Sequence, residues 1–127
     1  TIVNVTSSAT LAPFPLVAAY TASKTAIEGF TGSLALERAG FGVRATLVEP
    51  GYCPDTRFAE NGADRMQGLV TEPYAPFAGQ VFEGFAQLTA VTQPHDVAQA
   101  VWQAANDAST RLRYAAGADA LALARAA

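Results

Sequence analysis

The sequence of 127 residues carries a net charge of −3, and half of its residues are hydrophobic while only 15% are charged. That balance describes a folded globular domain and not a disordered tail, and it gives no electrostatic reason to expect a nucleic-acid partner. The single cysteine, Cys53, excludes an intrachain disulfide framework and permits a reducing compartment, and no stretch approaches the ~20 apolar residues of a membrane span, so the expected location is cytoplasmic.

The chain starts in Thr1-Ile2-Val3-Asn4-Val5, with no initiator Met, no signal-peptide pattern and no polar lead-in. The β-branched run 2–6 reads as a buried parallel strand, so the chain is expected to be the C-terminal half of a longer protein. Ser7 and Ser8 leave that strand at its carboxyl end, where active residues of open α/β sheets sit; their hydroxyls equally suit a turn. Pro13 and Pro15 keep the next loop extended, and a long helix is expected over 16–38.

Within that helix Tyr20 and Lys24 are four residues apart, so the phenol and the ammonium project from one face. Lys24 is the only lysine in a chain whose other basic side chains are all Arg, which sets it apart from a scatter of solubilising lysines. The bland alternative is a lysine stem packed over a tyrosine ring. Ala22, Ala26, Gly29 and Ser33 recur at helical spacing as a small-residue face for close packing against the sheet or another helix, beside a bulky stripe of Ile27, Phe30 and Leu34. Gly40 and Gly42 end the helix, and a second strand is expected over 43–48.

That strand delivers Glu49-Pro50-Gly51, where Pro cannot continue a ladder and Gly lets the backbone pass close to a ligand. From 52 to about 90, glycines and prolines interrupt weak helical patterns at 58–69 and 76–88. Phe58, Met66, Leu69, Tyr74, Phe77, Phe82 and Phe85 in this lobe are candidates for an apolar pocket, although each taken singly suits ordinary packing. Gln93-Pro94-His95-Asp96 starts a helix running to about 107, in which Pro is tolerated in the first turn and Asp96 is favoured by the helix dipole. His95 is the only histidine, which leaves no metal site and a solvated helix-start residue. A short strand at 112–114, a turn at Gly117 and a helix over 119–127 close the chain.

Ser7, Tyr20-Thr21-Ala22-Ser23-Lys24 thirteen residues later and Pro50-Gly51 thirty residues beyond Tyr20 resemble, as a set, the short-chain dehydrogenase/reductase family. The likeness extends over the whole chain, with Arg113-Tyr114 through Gly117 and Asp119 similar to the family's closing segment. It implies an α/β fold, the C-terminal half of a doubly wound parallel-sheet, Rossmann-like domain. Residues 1–50 would be the catalytic strand and helix, about 52–90 the substrate-binding lobe and about 93–127 the closing helix and strand. The resemblance also implies NAD or NADP as cofactor, a small-molecule carbonyl or alcohol substrate, no nucleic-acid or membrane partner, and a homo-oligomer in which the long helix lines the interface. Family spacing points to Ser7 ahead of Ser8.

Under that resemblance Tyr20 is the general acid/base, Lys24 its tuner and a ribose ligand, and Ser7 the donor that orients the substrate. Pro50 and Gly51 approach the nicotinamide end of the cofactor. Thr56 corresponds to a threonine that meets the carboxamide or phosphates, although it follows Pro50 by six residues where the family usually has five. The chemistry is consistent: hydride addition to a ketone leaves charge on oxygen, so an acid must supply a proton. A free phenol titrates near 10, a neighbouring cation favours phenolate, and a serine hydroxyl can hydrogen-bond the developing alkoxide. The family's fourth member, an Asn on the preceding helix, is expected upstream; Asn4 has the wrong location for it. Glycine-rich phosphate loops of the Gly-x-x-x-Gly-x-Gly type do not occur in the chain. Other readings are an extended-type epimerase or dehydratase, disfavoured by the roughly 100 residues that follow Lys24, a non-enzymatic binding relative, and an inert fragment.

Overall fold

The computed structural model describes residues 1–127. Three short strands, β1 (Ile2–Val5), β2 (Ala45–Pro50) and β3 (Arg113–Ala116), form one parallel sheet in the order β1-β2-β3. Parallel neighbours need a crossover, and α1 (Ala18–Arg38) supplies the first while α2 (Phe58–Met66), α3 (Ala75–Ala86) and α4 (Pro94–Asn106) fill the second. A final helix, α5 (Ala118–Ala126), follows β3.

Alternation along the strands sorts the two faces of the sheet. Val48, Tyr114 and Ala116 meet Ala100 and Ala104 of α4 in the apolar core, with Val3, Val97 and Val101 packed around them. Asn4, Glu49 and Arg113 point the other way; Asn4 Nδ2 donates to Thr31 Oγ1 of α1 at 2.8 Å, and Arg113 reaches Glu28 of the same helix. The α4 side of the sheet is therefore an apolar seam, and the α1 side carries a polar cluster beside buried Leu47. β2 lies between the other two strands and is buried from Ala45 to Glu49.

Several expected boundaries shift, and each shift has a local cause. The long helix starts at Ala18 instead of residue 16, because Leu16 adopts a left-handed backbone (φ 69°) and Val17 becomes the N-cap. It ends at Arg38, followed by a 3-10 turn at Ala39–Phe41 and left-handed Gly42 (φ 67°). That turn keeps Val43 and Arg44 out of the second strand, which runs two residues further than its pattern suggested: Glu49 and Pro50 stand opposite Ala115 and Ala116. Left-handed Gly68 follows α2, which stops at Met66. The start of α4 is as expected: Pro94 occupies the first turn, and Asp96 Oδ2 accepts from the Gln93 amide at 2.8 Å. His95 is exposed there.

Two packing expectations are corrected. The small-residue face of α1, Ala22, Ala26, Gly29 and Ser33, does not meet the sheet; it is exposed, as is Phe30, while the sheet-facing side is built from Ile27, Glu28 and Thr31. In the lobe, Phe58, Met66, Leu69, Tyr74, Phe77 and Phe82 remain exposed and do not close into an apolar pocket, since Ala78 is the lobe's one buried core residue. Phe85 is half-buried, edge-on to Phe14 and tilted against Tyr52, each at 5.4 Å between ring centroids. No helix is long and apolar enough to cross a membrane.

Candidate active site

β1 ends beside β2, with the Thr6 amide donating to the Val48 carbonyl at 2.8 Å, so Ser7 emerges at the carboxyl edge of the sheet. Ser7 has extended backbone and caps the short 3-10 turn Ser8–Thr10, its Oγ accepting from the Ala9 amide at 3.2 Å. A hydroxyl has one proton to give as well as lone pairs to receive, so this cap leaves the Ser7 proton available. Ser8 is buried, 6% exposed, whereas Ser7 is half-buried.

Tyr20 sits in the first turn of α1 and Lys24 one turn later, with Nζ 5.7 Å from the centre of the Tyr20 ring. Lys24 Nζ also donates to the carbonyl of Val5, the last residue of β1, at 3.4 Å. The ammonium thus ties the helix that carries Tyr20 to the strand that delivers Ser7. It has three donors and this single protein acceptor, which leaves donors suited to the hydroxyls of a ribose. Phe58 meets the Tyr20 ring edge-on at 6.1 Å. No hydrogen bond joins the Ser7 and Tyr20 hydroxyls directly.

Pro50 closes the β2 ladder and the Gly51 amide donates to the Ala116 carbonyl at 3.0 Å. A side chain at Gly51 would fall on the Asp119 carboxylate, which accepts from the Tyr52 amide at 2.6 Å and from Thr92 Oγ1 at 2.6 Å. Asp119 thereby fixes the backbone just beyond Pro50. Thr56 is not brought to Tyr20, Lys24 or Ser7: it is exposed, and its hydroxyl donates to the Cys53 carbonyl at 2.9 Å within a local turn. Burial, helped by the nearby Asp55, Asp96 and Asp119 carboxylates, pushes the Cys53 thiol up and keeps it protonated near neutrality.

A polar cluster lies under these elements. Glu28 Oε1 accepts from Thr6 Oγ1 at 3.1 Å and from Thr10 Oγ1, and its Oε2 accepts from Arg113 Nη1 at 2.8 Å. Arg113 also pairs with Glu49. Burial raises the Glu49 carboxyl above its usual range, and Arg113 offsets part of that effect. Burial opposes the charge on Arg113 itself, but the two carboxylates outweigh it and hold the guanidinium above its ordinary value. Sequence reasoning passed over Glu28 and Thr92, and named Glu49, Arg113 and Asp119 only as members of motifs, without a role. The signal for Glu28 was present: Tyr20, Lys24 and Glu28 recur every four residues on one helix face.

Residues 1–67 match the short chain dehydrogenase family. Two uncharacterized oxidoreductases of Schizosaccharomyces pombe are each 32% identical over 117 residues, 91% of this chain and 48% of theirs. A 3beta-hydroxysteroid dehydrogenase of Eggerthella lenta is 35% identical over 109 residues, 85% of this chain and 38% of its own. Among solved structures, an NAD+-bound xylitol dehydrogenase superposes with a TM-score of 0.65 at 23% identity, over 92% of this chain and 48% of that one. A short-chain dehydrogenase from Streptomyces avermitilis superposes with a TM-score of 0.61 at 25% identity, over 98% of this chain and 44% of that one. The chain spans about half the length of the curated relatives it matches. Parallel strands alternating with helices, the matched residues and these oxidoreductase relatives place the chain in the short-chain dehydrogenase family, as part of its Rossmann-like fold.

Proposed function

We propose that the full-length protein interconverts an alcohol and a carbonyl compound, with Ser7, Tyr20 and Lys24 as its acid/base site and NAD or NADP as the hydride carrier. The observation that carries this reading is the Lys24 ammonium, which stands beside the Tyr20 ring while bonded to the carbonyl at the end of β1. Tyr20 gives its phenolic proton to the developing alkoxide in reduction and takes the alcohol proton in oxidation. Lys24 stands beside the phenol ring and holds ribose hydroxyls with its remaining donors. Ser7 donates its free proton to the substrate oxygen, orienting it toward Tyr20. Pro50 and Gly51 supply a backbone edge near the nicotinamide. When bound, the nicotinamide cofactor supplies or accepts the hydride.

The relatives supply a direction for the substrate. The Eggerthella protein is described as a hydroxysteroid dehydrogenase, and a rat relative, 29% identical over 93 residues, as an estradiol 17-beta-dehydrogenase. Phe14, Tyr52 and Phe85 form a continuous aromatic wall, which suits an alcohol with an apolar body. The exposed small-residue face of α1 suits a helix-to-helix contact in a homo-oligomer.

The test is Tyr20→Phe in the full-length protein, assayed with a panel of apolar secondary alcohols and both cofactors. The substitution deletes one oxygen, and general acid/base catalysis is worth about 10²–10⁴-fold. A loss of at least about 100-fold in kcat with an unchanged thermal midpoint is expected; retention of activity within about tenfold of the parent removes Tyr20 from the role.

A further inference from the structure

We propose that Glu28 is a positioning residue that holds the Ser7 loop in register with Tyr20 and Lys24, its carboxylate being fixed in turn by Arg113. The inference rests on the reading of Ser7, Tyr20 and Lys24 as the acid/base site. Ser7 and Tyr20 lie on different elements and share no hydrogen bond, so their relative placement has to be set elsewhere. Glu28 is on α1, one turn beyond Lys24 and 8% exposed. Its Oε1 receives the hydroxyls of Thr6 and Thr10, the residues that bracket Ser7. Thr10 Oγ1 also lies 2.7 Å from the Ser7 carbonyl oxygen. One carboxylate oxygen on the helix therefore grips both sides of the loop.

The second oxygen is committed as well. Glu28 Oε2 accepts from Arg113 Nη1 at 2.8 Å, so the carboxylate cannot swing away from the threonines without breaking its ion pair to β3. Arg113 reaches Glu49 too, the residue before Pro50. A single guanidinium thus links the helix of Tyr20 and Lys24, the loop of Ser7 and the strand end that carries Pro50 and Gly51. An ion network whose two carboxylates are buried while its guanidinium is half-exposed is a weak source of net stability compared with apolar packing, but its bonds are directional. Direction is what a three-element site requires, because a displacement of about 1 Å in a reacting group can cost about 100-fold in rate. Glu28 touches neither Ser7 Oγ nor the Tyr20 hydroxyl, so its action runs through the loop backbone.

The experiment is a double-mutant cycle on the full-length protein, with steady-state kinetics and fluorescence titration of NADH and NADPH. Glu28→Ala is expected to lower kcat about 10–100-fold while the cofactor Kd stays within about threefold, since no Glu28 contact faces the cofactor. Glu28→Gln should recover part of that loss, because its amide oxygen still accepts from Thr6 and Thr10 although its amide nitrogen cannot accept from Arg113. In a Ser7→Ala background Glu28→Ala should add less than about threefold, because residues acting as a unit are not additive. Multiplicative losses in the double variant, equal losses for Gln and Ala, or a parallel weakening of cofactor binding each overturn the proposal. Should Glu28→Ala fail to fold, Thr10→Val cuts only the loop contact; it should lower kcat at least about fivefold, again only when Ser7 is present, and full activity of that variant refutes the idea. The two layers fail separately: a Ser7→Ala variant with parental kcat sinks the acid/base reading and this inference together, whereas a crippled Ser7→Ala with independent Glu28 losses sinks the inference alone.

Discussion

Asp119 has no place in the acid/base chemistry, yet it decides how the backbone runs beyond Pro50. Its two oxygens accept from the Tyr52 amide and from Thr92, and the space a Gly51 side chain would need is already filled by its carboxylate. Asp119→Ala would remove the acceptor of the Tyr52 amide and one of the two acceptors of the buried Thr92 hydroxyl, which keeps the Ala116 carbonyl at 3.0 Å, a loss of about 0.5–1.5 kcal/mol in unfolding free energy. Gly51→Ala should destabilise comparably by driving the same carboxylate away, and the two losses should not add, because both break one contact. Urea unfolding of the full-length protein measures all three variants; a loss below about 0.5 kcal/mol for Asp119→Ala would show that Tyr52 is held by something else. At this scale the sequence was legible where chemistry is local. Tyr20 and Lys24 are four residues apart and meet because a helix brings them together. Asp119 and Tyr52 are 67 residues apart, and Arg113 and Glu28 are 85 apart, so their pairing exists only once three strands are aligned. Thr56 shows the opposite case, a residue one place off the family spacing whose hydroxyl is used in its own turn.

The joint between α4 and β3 depends on the charge state of one bond. Tyr114, 2% exposed, donates its phenolic proton to Asp107 Oδ2 at 2.8 Å, just where α4 ends. The Ser109 amide, with the Tyr114 phenol second, holds the Asp107 carboxyl below its usual range; burial, with Asp107 second, pushes the Tyr114 phenol up. The sign follows for each partner. A depressed carboxyl contributes stability that is present above its unfolded value near 3.9 and is lost as pH falls through the lower folded value. A raised phenol contributes stability that is complete below its unfolded value near 10 and is lost as pH rises through the higher folded value. The stability difference between parent and Tyr114→Phe should therefore be level from about pH 5 to 9 and shrink on both sides. Urea titrations across that range test it; a difference that stays constant through pH 10.5 would show that the phenol's ionisation is not linked to folding. Element boundaries read from the sequence missed by about two residues at the points where backbone conformation, and not hydrophobic pattern, sets the limit. Leu16 and Gly42 are both left-handed, and no periodicity reports a φ angle.

For the whole molecule, the order of strands and helices was legible because each carries its own period, and the parallel sheet followed from strands separated by helical crossovers. The exposure of the lobe's aromatics was not legible, since an apolar residue in a sequence does not say whether anything covers it. The same uncertainty governs what these 127 residues do by themselves. β1 is paired only with β2, its outer edge is open, and Ile2 and Val5 on it are 40% and 44% exposed. Phe30 and Leu36 on α1 are 61% and 82% exposed. An open strand edge with exposed apolar side chains, on a chain that also exposes Phe30 and Leu36, is a template for association with other chains. Lys24 on α1 and the Pro50-Gly51 edge of the sheet are the proposed cofactor contacts, but the sequence holds no glycine-rich turn at a helix N-terminus to receive a pyrophosphate. Lys24 and that edge would meet only the nicotinamide side of the cofactor, and the ordering and immobilisation of a dinucleotide would be opposed by few contacts. The 127-residue chain, purified alone, is therefore expected to self-associate and to show no saturable binding of NAD(H) or NADP(H). Sedimentation and calorimetric titration of a freshly isolated monomer fraction test both halves of this expectation; saturable binding at micromolar cofactor would show that the nicotinamide-side contacts suffice without a phosphate cradle.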